Sequence, residues 1–258
     1  MQNNTFSTLF IGQNLIKLTA VDSTNNYLKN LLSKSEPLPE GTVIMADNQF
    51  AGRGQQNSVW QTLPGKNISA SIFLKPSFLP LDKQFFLNIA VCLAVSDTLM
   101  QFIPQGIKIK WPNDIYFLHK KLGGILIENA LSGSLIKSSI IGIGLNINQE
   151  QFADEISTKA TSVIQILQKE VQLGVIMENL FVFMEKYYLI LRSGRFSILH
   201  QQYLDRLYRL EEKASYIQNG VVFEGTIIGV EDTGKLLMEI EGNSKTFNFK
   251  EIEFTHTK

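Results

Sequence analysis

Apolar and polar positions change period several times along this chain, and the changes outline its architecture. Two-residue alternation or short apolar runs predict strands over residues 42–46, 68–74, 107–110, 125–129 and 139–147, with a further extended-looking stretch at 9–18. Helical spacing takes over at 83–102 and again between 157 and 209, most strongly across 175–191. Asp22-Ser23-Thr24-Asn25 supplies helix-cap chemistry ahead of a short helix at 26–32, and Pro37-Leu38-Pro39-Glu40-Gly41 breaks the chain after it. From Glu212 the texture shifts. Short alternating runs are punctuated by Asn219-Gly220, Asp232-Thr233-Gly234 and Glu241-Gly242-Asn243, the turn chemistry of hairpins. The expectation is an α+β protein with a larger domain over 1–211 and a small β-barrel over 212–258.

Two segments break these patterns. A long polar loop over 47–67 contains Gln49-Phe50-Ala51-Gly52-Arg53-Gly54-Gln55-Gln56-Asn57 and Trp60. Glycines on both sides of Arg53 let backbone N–H groups and a guanidinium converge on an anion, although Gly-Arg-Gly occurs equally in ordinary surface loops. The second is Lys110-Trp111-Pro112-Asn113-Asp114, followed by Lys121-Leu122-Gly123-Gly124-Ile125-Leu126-Ile127-Glu128. Pro112 rules out a regular helix or central strand there, and Asn113-Asp114 favours a turn. Lys121 then stands near a strand entrance, beside backbone without side chains, as either a ligand-facing cation or part of a solvated His119-Lys120-Lys121 run.

Other positions are open to two readings. Ser23, Thr24 and Asn25 either cap a helix or direct hydroxyl and amide groups into a pocket. In Ile141-Gly142-Ile143-Gly144-Leu145-Asn146 the glycines share one strand face, which either admits a flat ligand or receives a packed helix. Asn146 shares that face and is placed to hydrogen-bond a base. The spacing is not that of a dinucleotide fingerprint.

Composition narrows the classes. With 258 residues and 44% hydrophobic content the chain can bury a sizeable core. Lys+Arg and Asp+Glu balance at 24 each, so there is no global basic field for a nucleic-acid backbone. Cys92 is the only cysteine and lies in an apolar stretch, which excludes an internal disulfide. His119, His200 and His256 are too scattered for a structural zinc site, and no metal ligand is assigned. The first residues lack the features of a targeting signal. The most apolar stretches are interrupted by Asn88, Ser96, Asp97, Glu185 and Lys186, short of the ~20 apolar residues of a membrane span. The expectation is a cytoplasmic protein without a membrane partner.

Taken together and in order, Asp22-Ser23-Thr24-Asn25, the Gly52-Arg53-Gly54 loop with Trp60, the Lys110–Asp114 turn, the Lys121–Glu128 segment and Gly142-x-Gly144-x-Asn146 resemble the biotin–protein ligase family. The tail, including Ile252-Glu253-Phe254, resembles that family's SH3-like C-terminal domain. The resemblance implies a mixed-sheet catalytic domain of the biotin/lipoate ligase type, similar to class II aminoacyl-tRNA synthetases. It implies biotin and Mg2+-ATP as substrates with no tightly bound prosthetic group. Biotinyl-5′-AMP is formed first, and biotin then passes to a lysine of a biotin carboxyl carrier domain, typically that of acetyl-CoA carboxylase.

Carried over by position, Ser23, Thr24, Asn25 and Gln49 would hold the ureido end of biotin. Arg53, Gly54 and Gln55 would close over biotin and the activated phosphate in a loop mobile when empty. Lys121, Arg53 and Asp114 form the catalytic set. Lys121 would lie against the biotin carboxylate and α-phosphate, while Asp114 would orient the incoming carrier lysine or aid its deprotonation. Gly123 and Gly124 would line the biotin pocket. Arg53, Trp60, Lys110, Asn113 and Asn146 would contact ATP. Many relatives carry more basic residues where this chain has Gln55, Gln56 and Asn57. Asp22 stands close to the start of the sequence, leaving too little for the helix-turn-helix domain of some relatives. A stand-alone ligase without DNA binding is expected, as monomer or homodimer. A lipoate ligase or octanoyltransferase of the same fold, and a non-catalytic biotin-responsive protein, are the alternatives.

Overall fold

The computed structural model describes residues 6–34, 37–55 and 58–255. Gln56, Asn57 and His256, named above, lie outside the described residues. The first half of the chain supplies β1 (Leu15–Val21), α1 (Thr24–Leu32), β2 (Val43–Gln49), β3 (Gly52–Arg53), β4 (Val59–Trp60), β5 (Ile68–Leu74) and α2 (Phe85–Met100). Then come β6 (Ile107–Lys110), β7 (Asp114–Phe117), β8 (Lys120–Ser132) and β9 (Leu135–Leu145). Four helices follow: α3 (Asp154–Ser157), α4 (Val163–Leu167), α5 (Leu173–Arg192) and α6 (Phe196–Asp205). The C-terminal part contains β10 (Lys213–Gln218), β11 (Val221–Val230), β12 (Leu236–Ile240), β13 (Asn243–Phe247) and β14 (Glu253–Phe254).

Seven strands form one mixed sheet in the order β1-β2-β5-β9-β8-β7-β6, parallel between β1 and β2 and antiparallel elsewhere. Alternation along each strand divides its residues between two faces. Val43, Met45, Ile68, Ile72, Ile141 and Ile143 enter the main core, built on α2 and covered by α5 and α6. Ile44, Phe73 and Ile140 point the other way, toward Leu28 of α1. α2 is buried almost all round, which is why its sequence carries no polar stripe. The segment Leu81–Met100 is long and apolar enough to cross a membrane by length and composition, yet most of it is buried inside this fold. Cys92 belongs to that helix, and burial pushes its thiol up, away from thiolate chemistry.

The C-terminal strands form a five-stranded antiparallel, SH3-like sheet in the order β13-β12-β11-β10-β14. Asn219-Gly220 and Glu241-Gly242 take positive φ at its tight turns, as their sequence signals require. The sheet is fastened to the first part of the chain at the Lys110–Asp114 turn. Trp111 Nε1 donates to the Gly234 carbonyl at 2.9 Å, Phe249 packs against Trp111 and Phe85, and Lys83 pairs with Asp232 at 2.6 Å.

Several expectations need correction. The 47–67 loop is partly ordered, because β2 runs to Gln49 and β3–β4 form a small hairpin. The turn at 110–114 occupies Trp111–Asn113, and Asp114 already opens β7, a strand the turn-favouring pair Asn113-Asp114 concealed. β8 begins at Lys120 rather than at the apolar run, since Gly123 and Gly124 lie inside the strand.

Candidate functional site

Register places a line of chemically unusual residues across the sheet. Lys110 pairs with Asp114, Asp114 with Gly124, Gly124 with Gly144, and Gly144 with Ser69. Directly paired residues share a face, so these five lie side by side on the face opposite α2. The next row on that face is Leu126, Gly142 and Ser71. Above the two rows lies a cleft of about 400 Å³, within the range of small-molecule sites.

Lys121 joins this face through a β-bulge. Ile115 pairs with Gly123, but Tyr116 pairs with Lys121, stepping over Leu122. In a regular ladder Lys121 would oppose Phe117 and turn toward the core; the extra residue re-aims it. Leu122 is fully buried instead. Neighbouring segments satisfy the bulge's backbone: Lys121 N–H donates to Lys159, the Lys121 carbonyl accepts from Thr161, and the Leu122 carbonyl accepts from Asn146 N–H. The ammonium of Lys121 sits 2.6 Å from Asp114 Oδ1 and faces the Trp60 ring at 5.8 Å. A side chain at Gly124 would crowd both charged groups of this pair.

The polar end of the cleft is built by α1, β2 and β5. Ser23 occupies the N-cap position of α1 without a side-chain capping bond, and lines the cleft. Thr24 donates its backbone N–H to Gln49 Oε1 at 2.9 Å, and its hydroxyl lies 3.2 Å from the same oxygen. Ser71 Oγ is 2.7 Å from Thr24 Oγ1 and 2.5 Å from Asn25 Oδ1. Asn25 Nδ2 donates to Glu128 Oε2 at 2.7 Å. These buried amides and hydroxyls hold one another in fixed orientations, as buried polar groups must.

The other end is cationic. Lys110 Nζ lies between the rings of Tyr116 and Phe254, 4.9 and 4.8 Å from their centroids, and 3.0 Å from the Tyr116 hydroxyl. Burial pushes its ammonium down to about 8, with nearby Asp114 partly offsetting the shift. Arg53 reaches Glu128 at 2.7 Å, and Lys250 of the second sheet reaches the Gln55 carbonyl at 3.3 Å. Arg53, Lys110, Lys121 and Lys250 gather here against Asp114, Glu253 and the Glu128 that pairs with Arg53, so a chain of zero net charge carries a local excess of positive charge at this end. Such a cleft favours an anionic ligand. The turn beneath it is tied down: the Pro112 carbonyl accepts from Asn88 Nδ2 and the Tyr203 hydroxyl, and Asn113 Nδ2 donates to the Ile125 carbonyl.

Of the residues singled out in the sequence, the cleft gathers Ser23, Thr24, Asn25, Gln49, Arg53, Gly54, Gln55, Trp60, Lys110, Asn113, Asp114, Lys121 and Gly124. Two do not line it. Gly123 lies on the core face, where a Cβ would meet Leu145 and the Gly144 carbonyl. Asn146 has left the strand and is buried; its Nδ2 donates to the Thr161 carbonyl, so its amide braces the segment behind the Lys121 bulge. On the glycine face the helix-packing reading holds at Gly142, where α1 comes down, while Gly144 is covered by an indole ring. The positions above Gly142 and Gly144 are filled by Asn25 and Trp60, both cleft residues. The Trp60 indole N–H is buried without a hydrogen-bond partner among the described residues. Sequence reasoning passed over Ser69 and Ser71, whose signal was two serines at strand spacing in an otherwise apolar run. It also gave no site role to Lys250, Ile252, Glu253 and Phe254, which reach the cleft only through the docking of the second sheet.

Residues 18–146 match the model of the Biotin/lipoate A/B protein ligase family, a span running from β1 past the end of β9. The chain is 32% identical over 248 residues to the bifunctional ligase/repressor BirA of Bacillus subtilis, covering 94% of this chain and 74% of that protein. It is 26% identical to the biotin–[acetyl-CoA-carboxylase] ligase of Paracoccus denitrificans, covering 92% and 99% of the two chains. Among solved structures, the biotin protein ligase of Aquifex aeolicus in complex with biotin and ATP superposes with a TM-score of 0.79 at 26% identity, covering 95% of this chain and 99% of that one.

A methyl group at Gly144 would stand 2.4 Å from Trp60 Cε2, so Gly144→Ala has to displace the indole. The expected result is a red shift of tryptophan emission, with buried Trp111 as constant background, and a stability loss of about 1–3 kcal/mol in urea unfolding. Unchanged emission would show that the ring does not rest on this strand.

Proposed function

The chain belongs to the biotin/lipoate A/B protein ligase family, and on that premise we propose how its cleft attaches biotin to protein. It is an ATP-dependent biotin–protein ligase. Biotin and ATP are its small-molecule substrates, and Mg2+ enters with the nucleotide as its counter-ion. The observation that carries this reading is the Lys121–Asp114 pair, set on a glycine-cleared sheet face between a polar floor and a cluster of cations.

Ser23, Thr24, Asn25 and Gln49 offer fixed donors and acceptors to the ureido ring of biotin. Gly124 and Leu126 pass beneath the rest of the molecule, which leads its carboxylate toward Lys121. The carboxylate oxygen attacks the α-phosphorus of ATP, the bond to the β-phosphate bridging oxygen breaks, and pyrophosphate leaves. Negative charge gathers on the phosphoryl oxygens during that step, and the Lys121 ammonium, held by Asp114, stabilises it without reorganising. Lys110 and Arg53 supply further positive charge to the phosphates, and the unpaired Trp60 N–H is available to an acceptor on the nucleotide. In the second step the amine of the carrier lysine attacks the acyl carbon and AMP leaves. Asp114 takes part through its second oxygen, orienting the amine and receiving its surplus proton.

The acceptor is the lysine of a biotin carboxyl carrier domain of the acetyl-CoA carboxylase type. The enzyme works in the cytoplasm, where ATP is available, as a monomer or homodimer and without DNA as a partner. A lipoyl chain has no ureido group to match the hydrogen-bonding floor, which favours biotin over lipoate.

Biotin-dependent exchange of pyrophosphate into Mg2+-ATP tests the reading. Exchange is expected with biotin and not with lipoate, and Lys121→Ala is expected to lower it at least about a hundredfold. Its melting temperature should scarcely change, since the ion pair is partly exposed. Exchange specific for lipoate, or none with either acid, would overturn the assignment.

Lys110 gives the site a pH dependence. Its folded-state value lies near 8, below that of a free lysine, so the cation is present at neutral pH and lost as pH rises through 8. Affinity for ATP is therefore expected to fall about tenfold between pH 7 and pH 9. Lys110→Arg, which stays charged, should flatten that fall. An equally steep profile in the arginine variant would assign the titration to another group.

A further inference from the structure

Glu128 closes the Lys121–Glu128 segment on β8, yet the reaction described above does not use it. Its carboxylate touches two residues that line the cleft, and one oxygen serves both. Oε2 accepts from Asn25 Nδ2 at 2.7 Å and from Arg53 Nη2 at 2.7 Å. Asn25 belongs to the polar floor, where its other amide atom, Oδ1, is taken by Ser71. Arg53 belongs to the β3–β4 hairpin beside that floor. A single atom therefore joins the floor to the hairpin.

The join has a chemical consequence for each partner. An asparagine amide can turn over by exchanging its oxygen and nitrogen, and the two faces offer opposite hydrogen-bond patterns to a ligand. Glu128 accepts and cannot donate, so together with the more distant Leu126 carbonyl at 3.5 Å it turns Nδ2 toward itself and Oδ1 toward the Ser71 hydroxyl. Arg53 is a half-exposed cation on a two-residue strand with little of its own packing. Glu128 gives it a charged partner while the cleft holds no phosphate.

We propose that Glu128 is a positioning residue: it fixes the amide of Asn25 for biotin and retains Arg53 at the rim until phosphate replaces it. The proposal rests on the ligase reading for the biotin half, while the Arg53 half stands on geometry alone. The ion pair is partly exposed, so its hold on Arg53 is modest. The bond to the buried amide of Asn25 is the stronger of the two.

Two variants separate these effects. Glu128→Gln keeps an oxygen for Asn25 but removes the charge that holds Arg53. Glu128→Ala removes both. Trypsin cleavage after Arg53 in the free protein, followed by mass spectrometry, is expected to rise about two- to fivefold in both variants. Biotin affinity measured by calorimetry without ATP should stay within about twofold in Glu128→Gln and weaken roughly tenfold in Glu128→Ala. Glu224→Gln, which loses the exposed pair with Lys213 and does not line the cleft, should match the wild type in both measurements. Unchanged cleavage after Arg53 in both Glu128 variants would overturn the retention of Arg53. Equal biotin affinity in the two, whether both normal or both weak, would overturn the orienting of Asn25. A wild-type chain that binds no biotin would instead overturn the ligase reading and the Asn25 half with it, while cleavage after Arg53 still decides the other half.

Discussion

The close approach of side chains to bare strand backbone at Gly142 and Gly144 is the constraint on which the cleft depends. Any Cβ at these positions would overlap Asn25 Oδ1 or the Trp60 ring. Their absence lets α1 bring its polar N-terminus down onto the sheet and lets β4 lay an indole across the next row. Opposite strands continue the clearing, since Gly124 pairs with Gly144 and leaves room for the Lys121–Asp114 pair. The core face of the same strands does the reverse. There Ile141, Ile143 and Ile125 pack against the helical layer, and the strength of that packing holds the register that aligns the cleft residues.

Charge is handled by the same geometry. The chain is neutral overall, so its positive field is local and comes from four cations brought together from four places in the fold. Lys121 comes from a bulge, Lys110 from a strand end, Arg53 from a hairpin and Lys250 from the second sheet. Lys110 is held where burial disfavours its own charged form, between two aromatic rings that partly compensate. An anion entering the cleft would relieve that cost, so under the proposed function the unfavourable burial would favour phosphate binding.

Much of this was legible in the sequence because it depended on local chemistry. Turn residues announced the Asn219-Gly220 hairpin, and alternation announced the two faces of β5 and β9. The motifs at 22–25, 52–54 and 110–114 marked segments that converge on the cleft. What escaped depended on register and docking. No local rule tells that a bulge at Leu122 puts Lys121 and Gly124 on one face while sending Gly123 to the core. Nor does one tell that Asn146, in phase with Gly142 and Gly144, leaves the strand and donates to Thr161 instead. The share of the second sheet in the cleft follows from Trp111 and Phe249 meeting across the interface, which spacing along the chain does not reveal.

The central claim is that one sheet face holds the vitamin at its polar end and a phosphate beside Lys121. A crystal structure of the protein grown with biotin and ATP tests it most directly. The ureido ring is expected within hydrogen-bond reach of the Ser23–Asn25 and Gln49 groups, with Lys121 Nζ about 3 Å from a carboxylate or phosphate oxygen. A biotin ring bound outside the cleft, or an ammonium of Lys121 turned away from both acid groups, would contradict it.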